Sequence, residues 1–356
     1  MRRTEFHNRE KETKEVMSIL NAEPSLITFV YGPINSGKTE LINNLIKNLP
    51  KNQKVFYINL RGRLISNYDE FIKVLFDVEH EARYERIKKF LKPVVNVLPE
   101  SYSGIPIPKD IFLKLFKEKE VEDAFVYIET VFRAFYKNDQ DPVLVIDELQ
   151  VIGDLKVDGL LIYKLFNFFI RLTKELHLAH VFAISSDSLA IVNVHSEAML
   201  EGRCRYLLVD DFDRETTAAF LEKNGFTDDE TSVAWEYFGG KPVYLIELAN
   251  YENKEAKAEE LLMLRTGEIK RTLKRVKELG SEICIEDRSY TVRYSGLVDA
   301  LKHFVVHDEI DWTIVDEIST AFLVGKNVLF VDPVRGIIKP QSRLNLLAIR
   351  EVIANA

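Results

Sequence analysis

Apolar residues fall along the chain in two rhythms. Short runs at Leu26-Ile27-Thr28-Phe29-Val30-Tyr31, 54–60, Pro142-Val143-Leu144-Val145-Ile146, His180-Val181-Phe182-Ala183-Ile184 and Tyr206-Leu207-Leu208-Val209 are rich in β-favouring side chains. Runs of this kind with no polar alternation predict strands buried on both faces of a parallel sheet. Between them the period becomes helical. Val16, Ile19 and Leu20 share a face of a helix over 9–20, and apolar residues at 41, 42, 45, 46 and 49 form a stripe stopped by Pro50. Helical patterns follow at 68–78, 80–92 and 120–137, and a helix over 160–172 is apolar around most of its circumference and so should be buried.

Beyond residue 210 the pattern is mainly helical. Residues 212–250 read as helices broken at Gly239-Gly240, and 254–279 as a charged helix whose Lys270, Arg271, Lys274, Arg275 and Lys277 form a solvated face with Glu268 and Glu278. Tyr294 to Val306 and Asp311 to Phe322 read as two helices, with Gly325 as a C-cap. Residues 327–340 then read as a hairpin, and Ser342 to Ala354 as a closing helix.

The chemistry enters where the first strand ends. Gly32-Pro33-Ile34-Asn35-Ser36-Gly37-Lys38-Thr39 is a complete G-x-x-x-x-G-K-[ST] loop, preceded by a strand pattern and followed from Glu40 by a helix pattern. In that setting the loop and first helical turn aim backbone N–H groups at one spot, where the helix end carries about half a positive charge. A phosphate chain is the expected ligand. Lys38 would reach the β and γ phosphates and the Thr39 hydroxyl would take one position on Mg²⁺.

Asp147 and Glu148 close the third strand, where carboxylates stand beside such a loop. Asp147 would orient Mg²⁺ and Glu148 the attacking water; the alternative is a helix N-cap at Asp147. Ser185 and Ser186, at the tip of the fourth strand, either report the γ phosphate or form a turn. Arg203 and Arg205, before the fifth strand, either extend toward a neighbouring subunit's nucleotide or make surface ion pairs. A Pro/Gly/Ser segment from Pro93 to Pro108 follows the helical pattern at 80–92, and its part Pro99 to Pro108 reads as a loop, either partner-facing or a plain surface insertion.

Composition narrows the setting. The 356 residues are 46% apolar and 29% charged with a formal net charge of −8, which argues against a protein-wide footprint for nucleic acid. Two cysteines, Cys204 and Cys284, are too few for a disulfide framework or a zinc site. No secretory signal pattern opens the chain and no run is long enough to span a bilayer, so a soluble, cytoplasmic protein is expected.

With these residues placed, the chain resembles the archaeal branch of the AAA+-like and STAND P-loop ATPases. The likeness rests on Phe6-His7-Asn8-Arg9-Glu10, the loop Gly32 to Thr39, Asp147-Glu148-Leu149-Gln150, Ser185-Ser186, Gly202-Arg203 and Gly239-Gly240-Lys241-Pro242. It implies an α/β fold whose parallel sheet runs 5-1-4-3-2, then a helical lid and a winged-helix-like domain. The division would be 1–210, with an insertion over about 61–140, then 211–275 and 276–356.

The resemblance also implies ATP or ADP with Mg²⁺, adenine near Phe6, Asn8 and Arg9 under Pro242, a water-activating Glu148 and a sensor at Ser185 or Ser186. Tyr244, Leu245 and Glu247 stand where the family's second sensor arginine would. From Val276 to Ala356 nine Lys and Arg face twelve Asp and Glu, so DNA is disfavoured as a partner, although Arg335, Lys339 and Arg343 lie near the wing. The expected activity is an ATPase that moves its lid and C-terminal domain, with a homo-oligomer and a protein client as candidate partners; the alternative is a nucleotide-gated binding protein with little turnover.

Overall fold

The computed structural model describes residues 7, 9–61, 65–78, 101–118, 121–152, 160–196, 198–285 and 288–355. The first half forms α1 (Glu10–Leu20), β1 (Ile27–Tyr31), α2 (Lys38–Asn48), β2 (Gln53–Asn59), α3 (Tyr68–Leu75), β3 (Phe76–Val78), β4 (Ser101–Ser103) and β5 (Ile105–Ile107). It continues through α4 (Lys109–Glu118), α5 (Val121–Tyr136), β6 (Asp141–Asp147), α6 (Leu161–Ile170), β7 (His180–Ile184), α7 (Ser188–Ser196) and β8 (Cys204–Leu208).

Six of these strands make one parallel sheet in the order β4-β2-β6-β7-β1-β8. The expected order 5-1-4-3-2 is present, extended by β4 at the outer edge. The segment expected as a loop therefore supplies two strands. Gly104, at φ 104°, turns the chain between them, and its N–H donates to the Tyr57 carbonyl at 3.0 Å. Phe76–Val78 pairs with β5, which ends α3 earlier than the helical pattern suggested. The helix expected over 80–92 and the start of the Pro93 to Pro108 segment lie outside the described residues.

Alternation along the strands feeds two cores. Phe29, Phe56, Ile58, Leu144, Ile146, Val181 and Ala183 face one layer with helices α3, α5 and α6. Val30, Val55, Val143, Val145, Phe182 and Ile184 face the other with α1 and α2. Both faces are dry, which is why the runs lack polar alternation.

The second half forms α8 (Arg214–Lys223), α9 (Asp228–Phe238), α10 (Pro242–Ala249), α11 (Lys254–Leu279), β9 (Glu282–Ile285), β10 (Arg288–Thr291), α12 (Tyr294–Lys302), β11 (Ile310–Asp311), α13 (Glu317–Gly325), β12 (Leu329–Asp332), β13 (Ile337–Pro340) and α14 (Arg343–Ala354). Local chemistry sets the starts: Thr227 and Glu230 form a capping box on α9, and Ser342 caps α14. The helix expected from Asp311 begins only at Glu317, because Asp316 caps it by accepting from the Ser319 N–H and Asp311 is drawn into β11. The hairpin β9–β10 was not foreseen.

His180 opens β7 and is buried. Burial first, then the Arg205 charge, pushes its imidazole down to about 4 from 6.5. Above pH 6.5 both folded and unfolded chains carry it neutral. Between pH 6.5 and 4 the unfolded chain takes up a proton that the fold excludes, so this group withdraws on the order of 3 kcal/mol of stability as pH falls. His180→Gln should therefore flatten the loss of stability between pH 6.5 and 4 in urea unfolding; an unchanged pH slope would contradict the assignment.

Candidate functional site

Strand register gathers the site at one edge of the sheet. Val30 is level with Ile184, Ile184 with Asp147, and Asp147 with Asn59, so Gly32, Glu148, Ser185 and Arg61 all leave the sheet at the same end. Gly32 must be glycine. A Cβ there would lie 2.2 Å from the Val209 carbonyl oxygen, and φ is +152°. Gly37, at φ +97°, turns the chain into α2 without any side-chain cap, so the first-turn N–H groups of that helix have no side chain to satisfy them.

The carbonyls of the loop are occupied by cations. Lys38 Nζ donates to Gly32 O at 2.9 Å and Pro33 O at 2.8 Å. Lys241 Nζ donates to Ile34 O at 3.1 Å, and the Arg9 guanidinium to Ser36 O at 2.6 Å. Burial, then the nearby Lys241 charge, pushes Lys38 down to about 7. An anion in the loop would oppose that shift.

Asp147 Oδ2 accepts from Thr39 Oγ1 at 3.0 Å and from the Tyr57 hydroxyl at 2.6 Å. Burial and this carboxylate raise the Tyr57 pKa, so the phenol stays a donor. No α-helix starts at Asp147; a single 3₁₀ turn, Leu149–Ile152, follows. Neighbouring oxygens on an octahedral Mg²⁺ lie about 3.0 Å apart for bonds near 2.1 Å. The Thr39 and Asp147 oxygens have that spacing and the hard-donor chemistry, so these residues fit the cation. Among the described residues no cluster of three His, Cys, Asp or Glu could hold a metal ion.

Glu148 sits at φ +63°, a left-handed backbone unusual for a side chain of this size. Its carboxylate is engaged on both sides. Arg61 pairs with Oε1, and Gln150 Nε2 donates to Oε2 at 2.6 Å. Ser185 Oγ in turn donates to Gln150 Oε1 at 2.8 Å, so Ser185 reaches Glu148 through Gln150.

A cavity of about 440 Å³ runs outward from the loop. Asn35, Ser36, Gly37, Lys38, Thr39 and Glu40 line its polar end, with Arg61 and Ser186 beside them. Its far end is apolar: Phe212, Phe220, Pro242, Val243 and Ile246, with His7 and Arg9. The Arg9 guanidinium lies 4.7 Å over the Phe212 ring, and His7 meets Phe220 edge-on at 5.3 Å. Gly240 makes this wall possible, because a Cβ there would stand 1.7 Å from the Phe212 carbonyl oxygen.

The expected residues thus converge, with stated exceptions. Phe6 and Asn8 lie outside the described residues. Arg203 does not line the cavity: its guanidinium donates to Met199 O at 3.0 Å, and its carbonyl accepts from Ile27 N–H at the opposite end of β1. Arg61, Tyr57, Gln150, Lys241 and the Phe212–Phe220 wall escaped sequence reasoning as site residues. Only Gln150, two positions past Glu148, and Lys241, inside the Gly-Gly-x-Pro motif, carried a local signal.

A family model for an ATPase domain predominantly from Archaea matches residues 6–248, and one for the C-terminal domain of MJ1010-like ATP-binding proteins matches 255–353. An ATP-binding protein of Pyrococcus abyssi (strain GE5 / Orsay) is 45% identical over 349 residues, covering 98% of both chains. Another, from Methanocaldococcus jannaschii, is 43% identical and covers 98% of this chain and 97% of its own. Among solved structures, the Walker-type ATPase PABY2304 of Pyrococcus abyssi covers 98% of this chain and 97% of its own, with a TM-score of 0.63 and 17% identity, a likeness of fold.

Arg9 ties the N-terminal segment to the loop and to Phe212 at once. Arg9→Ala should cost roughly 2 kcal/mol in urea unfolding, the range for a buried charged hydrogen bond plus its ring contact. A loss below about 0.5 kcal/mol would show that the contact is incidental.

Proposed function

The chain belongs to the family of ATPase domains found predominantly in Archaea, and from that premise we propose that it binds an adenine nucleotide along the cavity and hydrolyses the β–γ bond. The observation that carries the reading is the loop itself, with its carbonyls turned to Arg9, Lys38 and Lys241 ahead of an uncapped helix terminus. Phosphates enter at this end. The base takes the apolar end between Phe212, Phe220 and Pro242. Mg²⁺, when bound through Thr39 and Asp147, would supply charge neutralisation at the phosphates.

The residues then divide the work. Lys38 exchanges the carbonyls of Gly32 and Pro33 for phosphate oxygens, Tyr57 holds the Asp147 carboxylate in place, and Glu148 orients the attacking water. Glu148 can accept that water's proton only when its pairing with Arg61 is released. Ser185 monitors the same carboxylate through Gln150. Arg203 can serve as an arginine finger only on a neighbour's nucleotide, which ties that role to a homo-oligomer.

The occupied state of Glu148 favours a second reading, a nucleotide-gated switch with little turnover whether or not the glutamate is paired. DNA is not the favoured partner. Arg335 pairs with Glu309 at 2.9 Å, Lys339 with Asp210 at 2.6 Å and Arg343 with Asp308 at 3.4 Å, so each basic group near the hairpin has an acidic partner in the chain. A protein client fits better.

Lys38→Ala should weaken ADP binding at least tenfold by calorimetry, the size of a lost charge-assisted contact. Retained affinity would remove the loop from the site. Glu148→Gln should keep affinity and lower turnover by roughly a hundredfold or more; unchanged turnover would overturn the water-orienting role. Arg61→Ala separates the two readings: a several-fold rise in steady-state phosphate release marks a restrained ATPase, whereas no measurable release in this variant or its parent marks the switch.

A further inference from the structure

The phosphate loop is gripped from behind by a residue 307 positions later in the chain. The Ile34 N–H donates to Gln341 Oε1 at 3.1 Å, while the Ile34 carbonyl accepts from Lys241. One loop residue is therefore held at its N–H by Gln341 near the C-terminus and at its carbonyl by Lys241.

We infer that Gln341 is a positioning residue of the nucleotide site, through which the C-terminal unit sets the shape of the phosphate loop. This rests on the nucleotide-site reading above. Gln341 is 3% exposed, and its orientation is fixed twice: its side-chain amide donates to Leu329 O at 3.4 Å and its backbone N–H to Val328 O at 3.0 Å. It moves only with β12 and β13.

That hairpin is in turn locked to the nucleotide core. Phe330 is wholly buried within the apolar cluster of the sheet. The Val331 N–H donates to Ser188 Oγ at 3.2 Å, and the Tyr31 hydroxyl, one residue before Gly32, donates to Asp332 Oδ1 at 2.8 Å. The hairpin thus contacts the chain on both sides of Gly32, at Tyr31 and Ile34. Displacing it strips the Ile34 N–H of its partner and loosens the loop that holds the anion. By linkage the effect is reciprocal: nucleotide in the loop must tighten the seat of the hairpin.

The test uses the full chain and ADP. Hydrogen exchange with and without saturating ADP should show several-fold slower exchange over 329–341 when ADP is bound. Gln341→Met should weaken ADP about fivefold, the size of one net hydrogen bond, and abolish that slowing. Arg335→Ala, which breaks an exposed pair in the same hairpin, should keep parental affinity. A folded Gln341→Met variant with parental ADP affinity overturns the inference, as does exchange over 329–341 that ignores ADP in the parent; the latter decides even if Gln341→Met fails to fold. A parent that binds no ADP removes the nucleotide-site reading and this inference together, whereas parental binding with either failure removes this inference alone.

Discussion

A loop can offer its N–H groups to an anion only if its carbonyl groups are satisfied elsewhere. Here those carbonyls face cations: Lys38 from the loop's own helix, Lys241 from the start of α10 and Arg9 from the N-terminal segment. Each cation comes from a different part of the chain. The geometry of the phosphate end therefore depends on the packing of three separate elements, and the rest of the cavity inherits it. Phe212 illustrates this, since its ring carries the Arg9 guanidinium while its backbone lies against Gly240.

The same economy governs the carboxylates. Thr39 and Tyr57 converge on one oxygen of Asp147 and fix that carboxylate beside the loop. Glu148, one residue on, stands on a left-handed backbone with its carboxylate between Arg61 and Gln150. The acid that ends β6 and the one after it thus sit in different surroundings. The chain from Ser185 through Gln150 to Glu148 links the tip of the fourth strand to these partners by hydrogen bonds.

Much of this was legible in the residues. The loop, Asp147 and Glu148 announce themselves because their chemistry is compressed into short segments, and the five apolar runs give the strands of the sheet. What was hidden is non-local. Arg61 follows β2 as an ordinary exposed loop residue, and becomes a partner of Glu148 only because β2 and β6 pair with Asn59 opposite Asp147. Phe212 and Phe220 read as residues of a helical segment, and only the fold brings them to the cavity beside the loop. The edge strand β4 is three residues in a proline-rich stretch, too short for a period to show. Gln341 follows the closing proline of a hairpin, and nothing near it speaks of phosphate.

The central claim is that the loop end of the cavity is built for phosphate. Calorimetric titration of the full chain with ADP, AMP and adenosine in the presence of Mg²⁺ tests it most directly. Affinity should fall stepwise as phosphates are removed, with ADP at least a hundredfold tighter than adenosine, about the contribution of two charge-assisted contacts. Equal affinity for ADP and adenosine would contradict the account.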